Sequence, residues 1–142
     1  MNEINEITYE CREIPAEDEI RRLYEAVGWQ AYLQEFERLM AGIENSTLVL
    51  TARRGEELVG FLRAVGDEYT SLYIQDILVL PTYQGRGIGG ELLTRCLEHF
   101  PDVRQKIVLA DRSPRLKKFY REHGFTALTE ESEVNAFVKF SS

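Results

Sequence analysis

The sequence of 142 residues has little cysteine, no long apolar run and no excess of basic side chains. Its two cysteines, Cys11 and Cys96, are too few for a disulfide framework, which predicts a reducing compartment. No apolar run approaches the ~18 residues that a membrane span needs. The first residues are acidic and lack the basic-then-apolar pattern of a signal peptide. A cytoplasmic location without membrane contact is therefore expected.

Basic charge is scarce over the whole chain but not evenly so. Seventeen lysines and arginines face 24 aspartates and glutamates, and the net charge of −7 argues against nonspecific binding of nucleic acid. Residues 1–25 hold eight acidic and three basic side chains, whereas residues 81–121 hold nine basic and four acidic ones. A local positive region in an acidic protein is typical of a small anionic ligand or of a solvated helix face. Charge alone leaves both interpretations open.

The remaining composition is that of an ordinary globular protein. Hydrophobic residues make up 44% and charged residues 29%, which disfavours a disordered or fibrous chain. A chain of this length buries roughly two thirds of its unfolded surface, enough for a core without disulfides. No repeat, low-complexity stretch or linker interrupts the sequence. A single domain over residues 1–142 is predicted.

Hydrophobic spacing predicts an alternation of strands and helices. Strands are expected over residues 7–13, 47–52, 58–65, 71–80, 106–110 and 134–140, and helices over residues 20–27, 32–40, 87–100 and 113–123. Short turns join the early strands as antiparallel hairpins, and the helix over 87–100 makes one β-α-β crossover. The fold class is therefore α/β with a mixed, mostly antiparallel sheet, not a doubly wound parallel one.

Two of these strands carry further expectations. Residues 106–110 form a continuous apolar run, which is typical of a central strand buried on both faces. Residues 134–140 are rich in β-formers and carry one charge, Lys139, so they predict a sheet edge that is paired rather than blunted. That edge predicts a homodimer.

Residues 79–90 place four glycines between a strand and the start of a helix, in the order Val-Leu-Pro-Thr-Tyr-Gln-Gly-Arg-Gly-Ile-Gly-Gly. Glycine lets backbone N–H groups approach a ligand, and the helix dipole adds positive potential at the same place. Such a segment binds phosphate or pyrophosphate, or else it is a tight turn without a ligand.

One dinucleotide-binding pattern fits the same letters. Gly85, Gly87 and Gly90 satisfy G-x-G-x-x-G, and Asp111 follows the next strand, where a ribose-binding acid is found. The context disagrees, because the glycine turn of that fold follows its strand directly and residues 81–84 intervene here. Too little chain also remains for the further parallel strands. A nicotinamide-dependent oxidoreductase is therefore disfavoured.

The loop more closely resembles the acetyl-CoA loop of GNAT-superfamily N-acetyltransferases, whose signature is Q/R-x-x-G-x-G/A. Residues 84–89 read Gln-Gly-Arg-Gly-Ile-Gly, and residues 119–125 supply a second family feature, Phe-Tyr-Arg-Glu-His-Gly-Phe. The two motifs follow one another in the order found in the family and, with the strand that precedes the loop, cover residues 71–125. The resemblance implies a GNAT-like fold with a splayed central strand pair. It also implies direct transfer of an acetyl group from acetyl-CoA to a primary amine within a ternary complex, without a metal.

The resemblance also implies which residues form the site. The loop amides would hold the CoA pyrophosphate, and the Val79 backbone would meet the pantetheine arm and the thioester carbonyl. Ser113 replaces the asparagine of many relatives. The expected cofactor-binding residues are Leu78, Val79, Gln84, Gly85, Arg86, Gly87, Ile88, Gly89, Gly90, Ser113, Lys117 and Tyr120.

Two side chains are candidates for acid–base chemistry. Tyr120 corresponds to the tyrosine that family members place near the thioester sulfur, and its phenol is a workable acid for a leaving thiolate. Asp76 is an acidic residue in an otherwise apolar strand run, so it is a candidate base. A hydrogen-bonded structural role for Asp76, with water as the base, stays open.

The sequence gives fewer indications of the residues that would bind the acceptor amine. In GNAT proteins the segment between the first two helices often walls the acceptor pocket, which makes Trp29 and Tyr32 candidate substrate-binding residues, while Phe36 favours core packing. The acceptor is expected to be the amine of a small molecule or peptide. A catalytically silent acyl-CoA sensor is the alternative function, because it would keep the loop and lose turnover.

Overall fold

The computed structural model describes residues 6–129 and 131–141, which form two compact units, one up to Leu109 and one from Ala110. Residues 1–5, which form most of the stretch used in the signal-peptide argument, lie outside the described residues. Within the described part, no helix is long and apolar enough to cross a membrane. The prediction of one domain over residues 1–142 stays a prediction.

The described part of the first unit is a mixed sheet with helices. Its elements are β1 (Thr8–Cys11), α1 (Glu17–Ala26), α2 (Gln30–Gln34), α3 (Phe36–Glu44), β2 (Leu48–Arg54), β3 (Glu57–Gly66), β4 (Ser71–Val79), α4 (Ile88–His99) and β5 (Gln105–Val108). The strand order is β1-β2-β3-β4-β5, with antiparallel pairing except between β4 and β5, which are parallel. The mixed α/β sheet and its single β-α-β crossover are confirmed.

The sequence explains why α4 packs closely on the sheet. Gly60 lies in β3, and a Cβ added there would come within 3.0 Å of the Ile88 side chain and 3.2 Å of the Leu92 side chain. The missing side chain therefore lets the first turn of α4 approach β3. Cys96, on the same helix, is fully buried, and burial raises the pKa of its thiol to about 12, so it is the core thiol that its position in the helical stripe predicts.

The helix predicted over residues 32–40 is wrong in one respect, because the structure divides it into α2 and α3. The break is Glu35, whose φ of −128° and ψ of 60° are not helical. Hydrophobic spacing continues across the break, with Tyr32 before it and Leu39 after it. Periodicity alone therefore could not reveal the break in the helix.

The prediction that residues 106–110 form a central strand buried on both faces is wrong. β5 is the last strand in the sheet order of the described residues, and it pairs only with β4. Ile107 is 43% exposed and Leu109 is 44% exposed. The apolar run correctly predicts a strand, but the strand is short and lies at the edge of the described sheet.

The second unit contains α5 (Pro114–Glu122), and its predicted start and end are confirmed. The Ser113 hydroxyl oxygen accepts a hydrogen bond from the Leu116 N–H at 3.3 Å, and Gly124 ends the helix with a φ of 91°. The strand predicted over residues 134–140 is absent from the described structure. Phe137 in this segment is 90% exposed. Residues of high β-propensity form a strand only where a neighbouring strand offers hydrogen-bond partners. Without this strand, the argument for a homodimer loses its basis.

Candidate functional site

The glycine segment links β4 to α4 through a short 3-10 turn, Pro81–Tyr83. Gly85 and Gly87 both adopt left-handed backbone conformations, with φ of 83° and 86°. A Cβ at either glycine would meet open space, so backbone conformation rather than crowding requires glycine at these positions. Gly87 is the N-cap residue of α4, and the loop therefore delivers the chain directly to a helix N-terminus.

The first turn of α4 leaves backbone donors available. The Glu91 N–H donates to the Gly87 carbonyl at 2.9 Å and closes the first turn. Among the described residues, no acceptor bonds the N–H groups of Ile88, Gly89 and Gly90. With the positive end of the helix dipole, these three donors form the phosphate-binding arrangement that the sequence predicts.

The side chains of the loop also contribute charge. The Arg86 guanidinium lies 4.9 Å from the centroid of the Tyr83 ring, so its position at the loop surface is supported by a cation–π contact. Arg86 is exposed, while Tyr83 is buried. The glycine loop thus carries a cation that is held against the Tyr83 ring.

β4 changes its pairing at Gln75. Two consecutive pairs with β3, Ala64 with Ile74 and Arg63 with Asp76, leave Gln75 as an extra residue on β4, which is a β-bulge. The parallel pairing with β5 also ends at Ile74. From Gln75 onward, β4 pairs with β3 alone among the described residues. The β4–β5 pairing therefore ends at the bulge, as the resemblance implies, although β5 is an edge strand of the described sheet and not one of a central pair.

The end of β4 turns backbone groups toward the unpaired side. The Leu80 N–H donates to the Val59 carbonyl on β3 at 2.9 Å. Because N–H groups alternate in direction along a strand, the Val79 N–H and carbonyl point away from β3. The Val79 carbonyl accepts a hydrogen bond from the Gln84 side-chain amide at 3.0 Å. Leu78, which the resemblance also places at the cofactor, has its side chain in the core.

Asp76 is the centre of a buried polar cluster. Its Oδ2 accepts hydrogen bonds from the Arg63 Nε at 2.6 Å and from the Tyr24 hydroxyl at 2.8 Å. Its Oδ1 accepts from the Tyr32 hydroxyl at 2.9 Å. The side chains of Arg63 and Asp76 are 9% and 1% exposed. Burial disfavours the charge of Arg63, but Asp76 outweighs that cost and raises the pKa of the guanidinium.

Gln75 joins the same cluster, which the regular alternation of a strand does not predict. Its side-chain amide donates to the Tyr32 hydroxyl oxygen at 2.8 Å, so Gln75 and Asp76 hold one phenol between them. Regular alternation along β4 would place Gln75 on the face opposite Asp76, but both side chains bond the Tyr32 hydroxyl. The bulge at Gln75 is the physical reason, because it re-aims a side chain.

The two candidate acceptor residues lie together. The rings of Trp29 and Tyr32 are 6.0 Å apart, and both contact Tyr24 at centroid distances of 5.9 and 5.4 Å. Trp29 and Tyr32 are half-buried, whereas Tyr24 is fully buried. Phe36 instead lies beneath the Arg21 guanidinium at 3.9 Å. Trp29 and Tyr32 therefore form a half-buried aromatic surface, which the Tyr32 hydroxyl joins to Asp76.

In the second unit, Tyr120 is 9% exposed, and its ring meets those of Phe119 and Phe125 edge-on at 5.0 and 5.7 Å. Burial raises the pKa of Tyr120 to about 12, so the phenol keeps its proton at neutral pH. Lys117 lies on the surface of α5 in a shallow groove with Arg121. Ser113 uses its side chain to cap α5.

Sequence reasoning did not identify Arg63, Tyr24 or Gln75 as members of a cluster. One signal was available for Arg63, since it and Asp76 each lie among apolar neighbours in a strand, and opposite buried charges pair. The partnership of Tyr24 with Asp76 joins residues 52 positions apart and has no local signature. In the described part, no three His, Cys, Asp or Glu residues are grouped to hold a metal.

Comparisons with known proteins agree with this geometry. Residues 17–140 match the family model described as an acetyltransferase (GNAT) domain. An uncharacterized N-acetyltransferase ycf52-like protein of Prochlorococcus marinus is 30% identical over 112 residues, which is 76% of this chain and 61% of that protein. The chain thus spans about three fifths of the length of that curated relative.

Solved structures show the same fold. A GNAT-family acetyltransferase from Streptococcus pneumoniae has a TM-score of 0.83 and 31% identity, covering 96% of this chain and 100% of that one. A GNAT-family acetyltransferase from Brucella melitensis, solved in complex with acetyl-CoA, has a TM-score of 0.67 and 24% identity, covering 86% and 84%.

Proposed function

Because the chain belongs to the GNAT acetyltransferase family, we propose that it transfers an acetyl group from acetyl-CoA to a primary amine by direct transfer in a ternary complex. One observation carries the proposal. The free amides at the start of α4 and the unpaired backbone of Val79 lie at the two ends of one short loop. A ligand with a pyrophosphate and an extended amide-containing arm satisfies both, and acetyl-CoA has both.

The residues at the loop fit the pyrophosphate. Ile88, Gly89 and Gly90 supply N–H donors, and Arg86 supplies positive charge. Hydrogen bonds from backbone N–H groups to a charged oxygen are stronger than neutral ones. Gln84 to Gly90 would therefore hold the phosphates, with Val79 bonding the pantetheine arm in place of a strand. Lys117 and Ser113, on the second unit, are candidates for further cofactor contacts.

The chemistry follows from these donors. The amine nitrogen attacks the thioester carbonyl carbon, a C–N bond forms, and the C–S bond breaks after a tetrahedral intermediate. The Val79 N–H is the donor for the oxyanion, because it has no strand partner. The proposed proton donor to the thiolate is the Tyr120 phenol, which matches the tyrosine of the family motif; its pKa of about 12 keeps it protonated until the thiolate forms, and water then restores the proton that it gives.

The attacking amine must also lose a proton. Asp76 was one candidate base, but its oxygens accept three hydrogen bonds within the cluster and its side chain is 1% exposed. A base needs an oxygen within hydrogen-bond reach of the proton that it removes. The proposed proton acceptor is therefore a water molecule, the alternative left open by the sequence, and Asp76 has a structural role.

Two measurements test the proposal. Calorimetry with acetyl-CoA and with NAD should detect binding of the first alone, since the loop follows the GNAT pattern rather than the dinucleotide one. A thiol-release assay over a panel containing a polyamine, an aminoglycoside, an amino acid, an arylalkylamine and a peptide N-terminus should then find turnover. Binding without turnover over the whole panel would favour the acyl-CoA sensor, and absence of acetyl-CoA binding would refute both functions.

A further inference from the structure

Helix α2 is joined to the sheet by the hydrogen bonds of one side chain, Tyr32. It is five residues long, has no side-chain hydrogen bond at either cap, and contains no fully buried residue. Such a short helix has little stability of its own. Among its residues, only Tyr32 makes a side-chain hydrogen bond to β4 in the described structure.

The groups that hold Tyr32 are fixed, and they occupy the point where β4 separates from β5. Asp76 is immobilised by Arg63 and Tyr24, and Gln75 is the bulged residue directly after the last β4–β5 pair. The Tyr32 hydroxyl donates to one neighbour and accepts from the other. Burial and the Asp76 charge raise the pKa of Tyr32, so the phenol keeps the proton that it donates.

We propose that Gln75 and Asp76 are positioning residues that hold α2 beside the opening in the sheet through the Tyr32 hydroxyl, and that this contact sets the affinity for the acceptor amine. The amine part rests on the proposed function. Trp29 and Tyr32 form the half-buried aromatic surface at this place, so displacement of α2 would dismantle the acceptor wall without touching the glycine loop.

The experiment compares three variants of the full chain. Tyr32→Phe keeps the ring and removes the hydroxyl. Gln75→Leu removes only the donor to Tyr32, which leaves the buried Asp76 bonded and guards against a variant that fails to fold. Tyr69→Phe is the control, because Tyr69 is 80% exposed.

Hydrogen exchange followed by mass spectrometry is the first readout and needs no substrate. In Tyr32→Phe, exchange over residues 30–34 should become faster by about tenfold, as expected for loss of a ~1.4 kcal/mol contribution to local stability. Gln75→Leu should show a smaller increase, β4 should stay protected, and Tyr69→Phe should match the wild type. Unchanged exchange over residues 30–34 in both variants would overturn the proposal.

Kinetics is the second readout, with the amine of the panel that the wild type acetylates fastest. In Tyr32→Phe the amine KM should rise by about tenfold, while the KM for acetyl-CoA and kcat stay within about twofold. A fall in kcat with unchanged amine KM would overturn the assignment to acceptor binding. If the wild type acetylates no amine, the proposed function fails, while the exchange result on α2 still decides the structural part.

Discussion

The Gln84 side-chain amide donates a hydrogen bond to the Val79 carbonyl oxygen at 3.0 Å. Gln84, directly before the glycines of the loop, is thus hydrogen-bonded to Val79, the last residue of β4. This hydrogen bond therefore contributes to the separation between the two parts of the proposed acetyl-CoA site, the phosphate end and the thioester end.

Replacing Gln84 should loosen that separation. Gln84→Leu removes the donor and keeps the size of the side chain, so acetyl-CoA affinity should fall about fivefold, the equivalent of ~1 kcal/mol for one hydrogen bond. Gln105→Leu, at the exposed start of β5, should leave affinity unchanged. Calorimetry checks both variants. Equal affinities for Gln84→Leu and the wild type would show that the Val79 contact does not support the site.

The glycine loop should not tolerate a side chain at Gly87. Gly87→Val forces a β-branched residue into a left-handed conformation and fills the space above the free amides. Acetyl-CoA affinity should fall by roughly 2 kcal/mol or more, as when bonds to a charged group are lost.

Gly55→Val is the matched control for Gly87→Val, since Gly55 has a φ of 61° and open space around it in the β2–β3 turn. Both variants should lower the melting temperature, but only Gly87→Val should lower affinity. Unaltered affinity in folded Gly87→Val would remove the phosphate-binding assignment.

Tyr120→Phe should separate catalysis from packing. The ring contacts with Phe119 and Phe125 survive, but the proton for the leaving thiolate is gone. We expect kcat to fall by ~10²–10⁴, the range of lost acid–base catalysis, with little change in acetyl-CoA affinity or melting temperature. Steady-state kinetics and thermal unfolding of the same preparation decide the matter, and near-wild-type turnover would exclude Tyr120 from the mechanism.

A pH-dependent contribution to stability should come from Asp67, in the turn before β4. Hydrogen bonds from the Thr70 hydroxyl and from the N–H groups of Tyr69, Thr70 and Ser71 lower the pKa of its carboxyl. Because the pKa of Asp67 is lower in the folded than in the unfolded state, its ionised carboxyl stabilises the fold at pH values above the unfolded pKa of ~4. This stabilisation is lost as the pH falls below that value. The wild type should therefore melt above Asp67→Asn at pH 7, by a margin that shrinks below about pH 4. A margin that widens on acidification would contradict this assignment.

Local signals in the sequence predicted most of the elements and the loop. Gly28, Gly55 and Gly124 end or turn their elements with left-handed backbones, and Ser113 caps its helix, because each effect acts over a few residues. The glycine segment was recognisable for the same reason, since its glycines, its N–H groups and the start of its helix all lie within one short stretch of sequence.

What could not be predicted depends on contacts between distant residues. The bulge at Gln75 appears only when β4 is set against β3, and it then reverses the expected direction of one side chain. The hydrogen bonds from Tyr24, Tyr32 and Arg63 to the Asp76 oxygens, on which our proposal of water as the base depends, also join residues far apart in sequence. The strand predicted over residues 134–140 failed because β-propensity does not state whether a partner is beside it.

The early end of the β4–β5 pairing also bears on the survival of the protein without its ligand. A strand bonded on one side only is a template for other strands, and so a route to aggregation. If acetyl-CoA binds in that gap as we propose, it would cover the same backbone groups, and at a hundredfold excess over Kd it would add about 2.7 kcal/mol to the free energy of unfolding. We expect the amount of folded protein in a cell to follow the supply of acetyl-CoA as well as the rate of synthesis.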